Sequence, residues 1–288
     1  MTVARLAAVI GRPVRHSLSP VMHNAVFQAA GLDWAFTRFE LREGGVPAAI
    51  AAMPVLGIGG YAVTMPHKPA AFESVDEVDP EVRRLRSVNT VVLRDDGTTM
   101  GTSTDGRGFV DWVAACNTNV AGRSIAVVGA GAAARSIVHA LDVYGHAARI
   151  AVINRTRSAA VEAAELSEVA VVGTVADISG AELVVNATSV GMGTNATPID
   201  PGLLTSGHVV ADIVYHPLET ELLRAARAAG ARVVDGLGML VYQAVLQQEL
   251  WTGRRPDPAV MRAAAEQALS QRGRPGPTIV GSVPPSPG

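Results

Sequence analysis

Apolar segments alternate with helix-like segments along almost the whole chain. The apolar runs are short, and the stretches between them repeat apolar residues at helical spacing. This alternation is typical of βαβ units and a mostly parallel sheet. In the first part of the chain it predicts strands at residues 3–10, 34–41, 58–63 and 88–93. In the second part it predicts strands at residues 124–128, 149–153, 169–172, 183–185, 209–213 and 232–234.

Capping and turn residues predict where several elements begin and end. Ser19 before Pro20 predicts a helix N-cap, and Gly31 predicts the C-cap of the same helix. A second helix is expected over residues 46–53. The turn sequence DDG predicts a hairpin over residues 88–102.

Length and composition favour two compact domains of the α/β class. The chain has 288 residues, of which 48% are apolar and 17% charged. We expect one domain at residues 1–104 and a second at 105–236. The segment 237–271 carries two helical patterns, at 239–251 and 258–270, with no strand after them, so we expect it to pack back on the first domain. Residues 272–288 are rich in Pro, Gly and Ser, which predicts a disordered tail.

Charge and cysteine content narrow the class of partner. A net charge of −2 offers no basis for binding nucleic acid or an anionic membrane, so a small soluble ligand is favoured. Cys116 is the only cysteine, which favours a reducing compartment. The N-terminal residues lack a signal-peptide pattern, and no apolar run approaches the roughly 20 residues that span a bilayer. We therefore expect a cytoplasmic protein. For its assembly we expect a monomer or a homodimer, between which the sequence does not decide.

A glycine motif follows the strand predicted at 124–128 and precedes a helix. In Gly129-x-Gly131-x-x-Ala134 the first glycine permits a tight turn and the second lets the backbone approach a pyrophosphate. An ordinary strand-to-helix turn is the alternative interpretation. The predicted contact residues are Gly129, Ala130, Gly131, Ala132 and Ala133.

The end of the next strand favours NADP over NAD. An NAD site normally has an acidic residue there, but this chain has Asn154, Arg155, Thr156 and Arg157. A guanidinium group suits a 2′-phosphate, which a carboxylate would repel. NAD remains possible, because Arg155 and Arg157 could also be solvated residues at a helix start.

Lys68 and Asp105 are the candidate acid-base residues. Lys68 follows an apolar strand near the mouth of the predicted cofactor cleft, where partial burial would help it to exchange protons. Asp105 could orient the ammonium group. A surface lysine and a helix N-cap at Asp105 are the alternatives that spacing alone leaves open. The neighbouring His67 is expected to point to solvent.

The chain resembles the shikimate dehydrogenase family over roughly residues 9–268. Several motifs carry the resemblance in the expected order: GRPVRHSLSP at 11–20, VTMPHK at 63–68, SVNT at 87–90, TDG at 104–106 and DGLGMLVYQ at 235–243. The cofactor half adds the glycine turn, NRT at 154–156, NATS at 186–189 and DIVY at 212–215.

The resemblance implies a substrate-binding domain with a mixed, mostly parallel sheet, a Rossmann-type NADP domain and an active-site cleft between them. It implies reversible NADPH-dependent reduction of 3-dehydroshikimate to shikimate, a step of aromatic amino-acid biosynthesis. Lys68 would be the general acid/base, paired with Asp105, while Ile213 and Gly236 would flank the nicotinamide. The implied substrate-binding residues are Ser17, Ser19, Thr64, Asn89, Asp105, Tyr215 and Gln243. No metal is implied.

Three positions depart from the family pattern. Ala62 and Ser103 stand where the family usually has asparagine, and Ala159 stands where a second phosphate-binding arginine is expected. Loss of two amides near the acid-base pair keeps a second hypothesis open, a paralogue that uses quinate, an aminoshikimate or a related acid, possibly with NAD. The pair Ser17 and Ser19 favours shikimate over quinate. An inactive cofactor-binding regulator is a third hypothesis, and retention of the whole candidate set argues against it.

Overall fold

A computed structural model describes residues 5–272 and contains two six-stranded sheets. The strands of the first sheet are β1 (Arg5–Gly11), β2 (Trp34–Glu40), β3 (Ile58–Val63), β4 (Glu77–Val78), β5 (Thr90–Leu93) and β6 (Thr99–Thr102). Their spatial order is β2-β1-β3-β5-β6-β4.

The directions of these strands bring the ends of four strands together at one edge of the first sheet. Strand β1 is parallel to β2 and β3, while β5 is antiparallel to β3 and β6 is antiparallel to β5. Ala62 near the end of β3 pairs with Thr90 at the start of β5, and Thr90 pairs with Thr102 at the end of β6. The segments that follow β1, β3 and β6 and the segment that precedes β5 therefore meet.

The second sheet is entirely parallel and has the doubly wound order. Its strands are β7 (Ser124–Val128), β8 (Arg149–Ile153), β9 (Ala170–Val172), β10 (Leu183–Asn186), β11 (Val209–Asp212) and β12 (Arg232–Val234). The spatial order β12-β11-β10-β7-β8-β9 reverses direction between β7 and β10. Such a switch point is where open α/β sheets bind dinucleotides.

Eleven α-helices and two short 3-10 helices, at Val175–Gly180 and Pro201–Leu203, connect the strands within the described residues. The α-helices are α1 (Ser19–Ala29), α2 (Val46–Ala51), α3 (Met53–Leu56), α4 (Lys68–Ser74), α5 (Pro80–Leu85), α6 (Asp105–Ala115), α7 (Ala132–Val143), α8 (Arg157–Ala164), α9 (Glu221–Ala228), α10 (Gly236–Thr252) and α11 (Pro258–Arg272).

The last two helices pack on elements from the first half of the chain. Helix α11 lies against α1, and α10 lies against α6. Leu18, Met22, Leu237, Val241 and Met261 share the apolar cluster between these helices. The placement of a domain boundary at residue 105 stays a proposal, since α6 contacts both α7 and α10.

The structure confirms every strand predicted from the apolar runs, with ends that move by at most two residues, and residues 3 and 4 of the first predicted strand lie outside the described residues. Three helix predictions are wrong in detail. The C-cap of α1 is Ala30, and Gly31 comes directly after it with φ +61°. Leu18, not Ser19, is the N-cap of α1, because Ser17 Oγ already accepts the Ser19 N–H. The helix expected over 46–53 is divided into α2 and α3, where Pro54 cannot donate a backbone hydrogen bond.

The C-terminal helix is longer than predicted, and three short elements were missed. The helix expected over 258–270 extends to Arg272, and the remainder of the predicted tail, 273–288, lies outside the described residues. Strand β4 and helices α4 and α5 were not predicted, because each is short and has few apolar residues in sequence.

Candidate active site

The Lys68–Asp105 ion pair lies at the edge of the first sheet where the chain ends meet. Lys68 begins α4 after β3, and Asp105 begins α6 after β6. Lys68 Nζ donates to Asp105 Oδ2 at 2.5 Å, and the side chains are 15% and 12% exposed. An N-cap role for Asp105 is wrong, because Thr104 occupies that position. A lysine so enclosed, beside one carboxylate, keeps a fixed direction.

Lys68 is the only lysine in the chain. Lysine and arginine together number 24, so the other cationic side chains, 24 − 1 = 23, are all arginine. Arginine stays protonated in proteins, whereas lysine can give up and regain a proton. Because all the remaining cationic side chains are arginine, the composition alone distinguishes residue 68. The motifs did not reveal this signal.

Asn89 joins the pair through its side-chain amide. Its Nδ2 donates to Asp105 Oδ1 at 2.7 Å and to Thr104 Oγ1 at 3.0 Å, and it is 2% exposed. Its Oδ1 accepts the Thr104 backbone N–H at 2.8 Å. The amide is therefore occupied in orienting Asp105, and direct contact of Asn89 with a substrate stays a prediction.

Ser17, Ser19 and Thr64 line the same edge. Ser17 Oγ donates to Ser19 Oγ at 3.2 Å, which places two hydroxyl groups side by side. Arg38 holds the loop by donating to the Ser17 carbonyl oxygen at 2.7 Å. Thr64 is close enough to Gly11 that a Cβ atom added at Gly11 would lie 2.3 Å from Thr64 Cγ2. The ends of β1 and β3 thus support these hydroxyls together.

Tyr215 and Gln243 come from the later part of the chain. Tyr215 is half-buried against the apolar cluster that contains Leu18, so it lies near the serine loop. Gln243 is 8% exposed on α10, and its Nε2 donates to the Leu240 carbonyl. Within residues 5–272 no hydrogen bond joins Gln243 to Lys68 or Asp105.

The glycine turn after β7 forms an open cradle at the switch point. Gly129 has φ +117°, and an added Cβ would lie 2.8 Å from the Ala187 carbonyl oxygen after β10. Gly131 is the N-cap of α7, makes no side-chain cap and faces open space. Ala130, Ala132 and Ala133 add only methyl groups, so free helix N–H groups face this space, and the residues fit a pyrophosphate.

The second part of the predicted cofactor site lies at the end of β8. Arg155 and Arg157 are exposed and form no ion pair with any residue between 5 and 272. Asn154 Nδ2 donates to the Thr156 carbonyl, which shapes the loop that carries the arginines. Two uncommitted guanidinium groups without a nearby acid fit a 2′-phosphate.

Gly236 begins α10 in direct contact with Ile213. A Cβ atom added at Gly236 would lie 2.5 Å from the Ile213 carbonyl carbon and 2.5 Å from the Val214 carbonyl oxygen. The structure therefore brings together the two residues expected to flank the nicotinamide.

Of two residues close in sequence to Lys68, one differs from expectation and the other shows how its substitution is accommodated. His67 is not solvent-facing but 4% exposed, and its Nε2 makes a hydrogen bond with the Leu41 carbonyl. Ala62 packs in an apolar cluster with Val9, Phe36 and Trp251, where a methyl group is well accommodated.

A basic cavity of about 380 Å³ lies beside the serine loop, and motif reading did not predict it. Its lining includes four arginines and one acid: Arg12, Arg15, Arg38, Arg42 and Glu40. Arg12 and Arg15 follow β1, and the other three residues lie at the end of β2 or just after it, so the parallel pairing of these strands was the signal that could have grouped them. Separately, no helix of the described part of the chain could span a membrane.

Two family models match separate parts of the chain, and known proteins match it over most of its length. The shikimate dehydrogenase substrate-binding domain matches residues 9–91, and the shikimate 5′-dehydrogenase C-terminal domain matches residues 236–266. Shikimate dehydrogenase (NADP+) of Pyrococcus abyssi is 40% identical over 272 residues, which cover 93% of this chain and 99% of that protein.

Solved structures show the same fold with different ligands. Shikimate 5-dehydrogenase of Thermus thermophilus, in complex with NADP(H) and shikimate, has a TM-score of 0.85 and 36% identity, covering 93% of this chain and 100% of that one. Quinate dehydrogenase of Corynebacterium glutamicum, in complex with NAD, has a TM-score of 0.85 and 34% identity, covering 92% and 99%. With identity and coverage at this level, the chain belongs to the shikimate dehydrogenase family.

Proposed function

We propose that the protein is an NADP-dependent shikimate dehydrogenase that catalyses the reversible reduction of 3-dehydroshikimate to shikimate. The observation that carries this proposal is the enclosed Lys68–Asp105 pair at the edge where the serine loop and Thr64 also lie. The relatives that match nearly the whole chain and carry this activity in their names support it.

NADPH, when bound, supplies the hydride that reduces the substrate carbonyl carbon. The turn from Gly129 to Ala133 would hold its pyrophosphate, and residues 154–157 would hold the adenosine 2′-phosphate. Ile213 and Gly236 would shape the wall beside the nicotinamide.

Lys68 is the proton donor in the proposed reaction. Its Nζ gives a proton to the carbonyl oxygen, which becomes a hydroxyl group, and takes the proton back in the reverse direction. Asp105 Oδ2 keeps the ammonium group aimed, since it accepts from Nζ at 2.5 Å. The neutral amine left after transfer regains a proton from solvent.

The hydroxyl groups at the sheet edge would bind the substrate acid. Ser17 and Ser19 place two hydroxyls side by side, as a carboxylate with two oxygen acceptors requires. Thr64, Tyr215 and Gln243 would distinguish the ring hydroxyls by donating or accepting hydrogen bonds, and Asp105 would accept from one of them.

A cytoplasmic location and a monomer or homodimer stay predictions.

A second candidate is a family member that uses quinate or an amino analogue, possibly with NAD. Ala62 and Ser103 favour it because both lack the amide that the family usually carries there. The quinate dehydrogenase with NAD also has nearly the same fold.

The experiment is a turnover assay of the purified protein, followed by the absorbance of the reduced nicotinamide. Shikimate and quinate are each tested with NADP and NAD. We expect the highest kcat/KM for shikimate with NADP, and preference for quinate would favour the second candidate. Absence of turnover with all four pairs would refute the proposed function and the use of quinate, and would favour an inactive regulator or a different substrate.

Lys68→Ala tests the proton donor in the same assay. We expect kcat to fall about a hundredfold, the usual loss for removing a general acid. Lys68→Arg is the matched control for charge, because it keeps a cation beside Asp105 but cannot release a proton. Turnover near the wild-type level in Lys68→Arg would contradict the assigned role.

A further inference from the structure

Helix α10 carries two adjacent buried glutamines that contact different parts of the first half of the chain. Gln247 is 2% exposed, and its Nε2 donates to the Asn89 carbonyl oxygen at 3.3 Å and to Thr90 Oγ1 at 3.1 Å. Gln248 is 1% exposed, and its Oε1 accepts from His23 Nδ1 at 3.0 Å. The two side chains are equally buried, but Gln247 makes hydrogen bonds with Asn89 and Thr90, whereas Gln248 makes one with His23.

The hydrogen bonds of Gln247 have a defined direction. The Asn89 carbonyl oxygen can only accept, so the Gln247 group that faces it is the NH2. Thr90 Oγ1 accepts from the same nitrogen and donates to Asn89 Oδ1 at 2.6 Å. Gln247 therefore acts on both the backbone and, through Thr90, the side chain of Asn89.

The side chain of Asn89 passes this constraint to the acid-base pair. The Thr104 N–H can only donate, so it fixes Asn89 Oδ1 on its side and turns Nδ2 towards Asp105. Among residues 5–272 the Asp105 carboxylate accepts two hydrogen bonds, one from Asn89 and one from Lys68. Among the described residues, Asn89 is thus the one uncharged side chain that donates a hydrogen bond to the Asp105 carboxylate.

We infer that Gln247 is a positioning residue for the Lys68–Asp105 pair, an inference that rests on the proposed function. Donors run in one direction from Gln247 through Thr90 and Asn89 to Asp105, and each bond in such a chain polarises the next. Asp105 held in this way keeps Lys68 Nζ aimed at the substrate oxygen. Gln247 touches neither Lys68 nor the reacting atoms, and acts through Asn89.

The free oxygen of Gln247 argues against a merely structural role. Gln247 Oε1 is buried and has no hydrogen-bond partner in the part of the chain that the structure describes. An unpaired buried carbonyl costs stability, so an apolar side chain of equal length would pack at least as well. The amide at this position contributes through the bonds that its nitrogen donates.

The test compares Gln247→Met with its neighbour Gln248→Met. Methionine matches glutamine in length and removes the hydrogen bonds without leaving a cavity. For Gln247→Met we expect kcat to fall roughly tenfold, because loss of both donated hydrogen bonds leaves Asn89 and Asp105 less firmly held, with KM within about threefold and Tm unchanged. We also expect the alkaline limb of the pH–rate profile to move to lower pH, because a loosened Asp105 stabilises the ammonium group less.

Gln248→Met should give the opposite pattern. It leaves a buried N–H of His23 unpaired, so Tm should fall while kcat stays within about twofold of wild type. Equal loss of kcat in both variants, or unchanged kcat and pH profile in Gln247→Met, would overturn the inference. If Gln247→Met does not fold, Thr90→Val breaks the same chain at its second link, keeps the strand-compatible shape and carries the same expectations.

A spectroscopic measurement separates failure of this inference from failure of the proposed function. Because Lys68 is the only lysine, protein grown with lysine that carries a carbon-13 label at Cε gives one labelled methylene signal in NMR. The chemical shift and pH titration of that signal should change in Gln247→Met and not in Gln248→Met, whatever substrate the enzyme uses. An unchanged Lys68 signal in Gln247→Met would refute the positioning role even if wild-type turnover were confirmed.

Discussion

Protonation of His23 is expected to make the fold sensitive to mild acid. His23 has no exposed surface, stacks on Phe36 with ring centroids 4.3 Å apart and lies 5.2 Å from the Trp251 ring. Burial among these rings lowers the pKa of His23 from 6.5 to about 4, against the smaller opposing effect of its hydrogen bond to Gln248. No charged side chain is among these neighbours to compensate a protonated ring.

The sign and size of the effect follow from linkage. Between pH 6.5 and 4 the unfolded chain binds a proton at residue 23 that the folded chain does not, so stability falls as the pH falls. A difference of 6.5 − 4 = 2.5 pH units at 1.36 kcal/mol per unit gives about 3 kcal/mol. This stability is fully present above pH 6.5 and lost by about pH 4.

Urea denaturation at a series of pH values measures this contribution. We expect His23→Gln, which cannot titrate, to lose less stability than wild type between pH 7 and pH 4, by an amount close to that difference. His146→Gln is the matched control, because His146 is an exposed histidine and its replacement should leave the steep wild-type dependence intact. Parallel curves for wild type and His23→Gln would refute the reasoning.

Three further predictions concern the binding of ligands. Arg155→Ala should raise the Kd for NADP at least about tenfold and hardly change that for NAD, by calorimetry, and equal effects would refute the phosphate role. Gly129→Ala forces a residue to φ +117° with its Cβ 2.8 Å from the Ala187 carbonyl oxygen, so we expect a loss of roughly 1–3 kcal/mol in unfolding free energy and weaker cofactor binding. The double change Arg15→Gln and Arg42→Gln should reduce the salt dependence of kcat/KM, measured by stopped flow, if the basic cavity steers anionic substrates. An unchanged salt slope would exclude steering.

The strands were predictable because burial on both faces of a sheet leaves short apolar runs in the sequence. Ile58–Val63 and Ser124–Val128 have the predicted bounds, since turn residues or glycines flank each run. Strand β4 has two residues, Glu77 and Val78. It pairs with β6 on the side opposite to β5, which is the hairpin partner of β6. So short a segment carries no periodicity and owes its conformation to a partner distant in sequence.

The candidate site was predictable where chemistry is local and not where it depends on packing. Lys68 and Asp105 lie in short motifs, and the ion pair between them confirms that they meet. His67 was assigned to solvent because its sequence neighbours suggest an exposed loop, yet a hydrogen bond to Leu41 buries it. The contact of Gln247 with Asn89 spans 158 positions along the chain, and no local pattern contains it.

Helix α10 contacts both halves of the proposed active site, at two positions a fixed distance apart along its axis. Its first residue, Gly236, rests on Ile213, and Gln247 lies further along it under Asn89. One residue inserted between Gly236 and Gln247 would turn the second contact about 100° around the axis and move it about 1.5 Å. An insertion in the turn at Gly97 would alter neither contact. The length of α10 therefore sets the spacing between the proposed cofactor wall at Ile213 and the proposed acid-base pair.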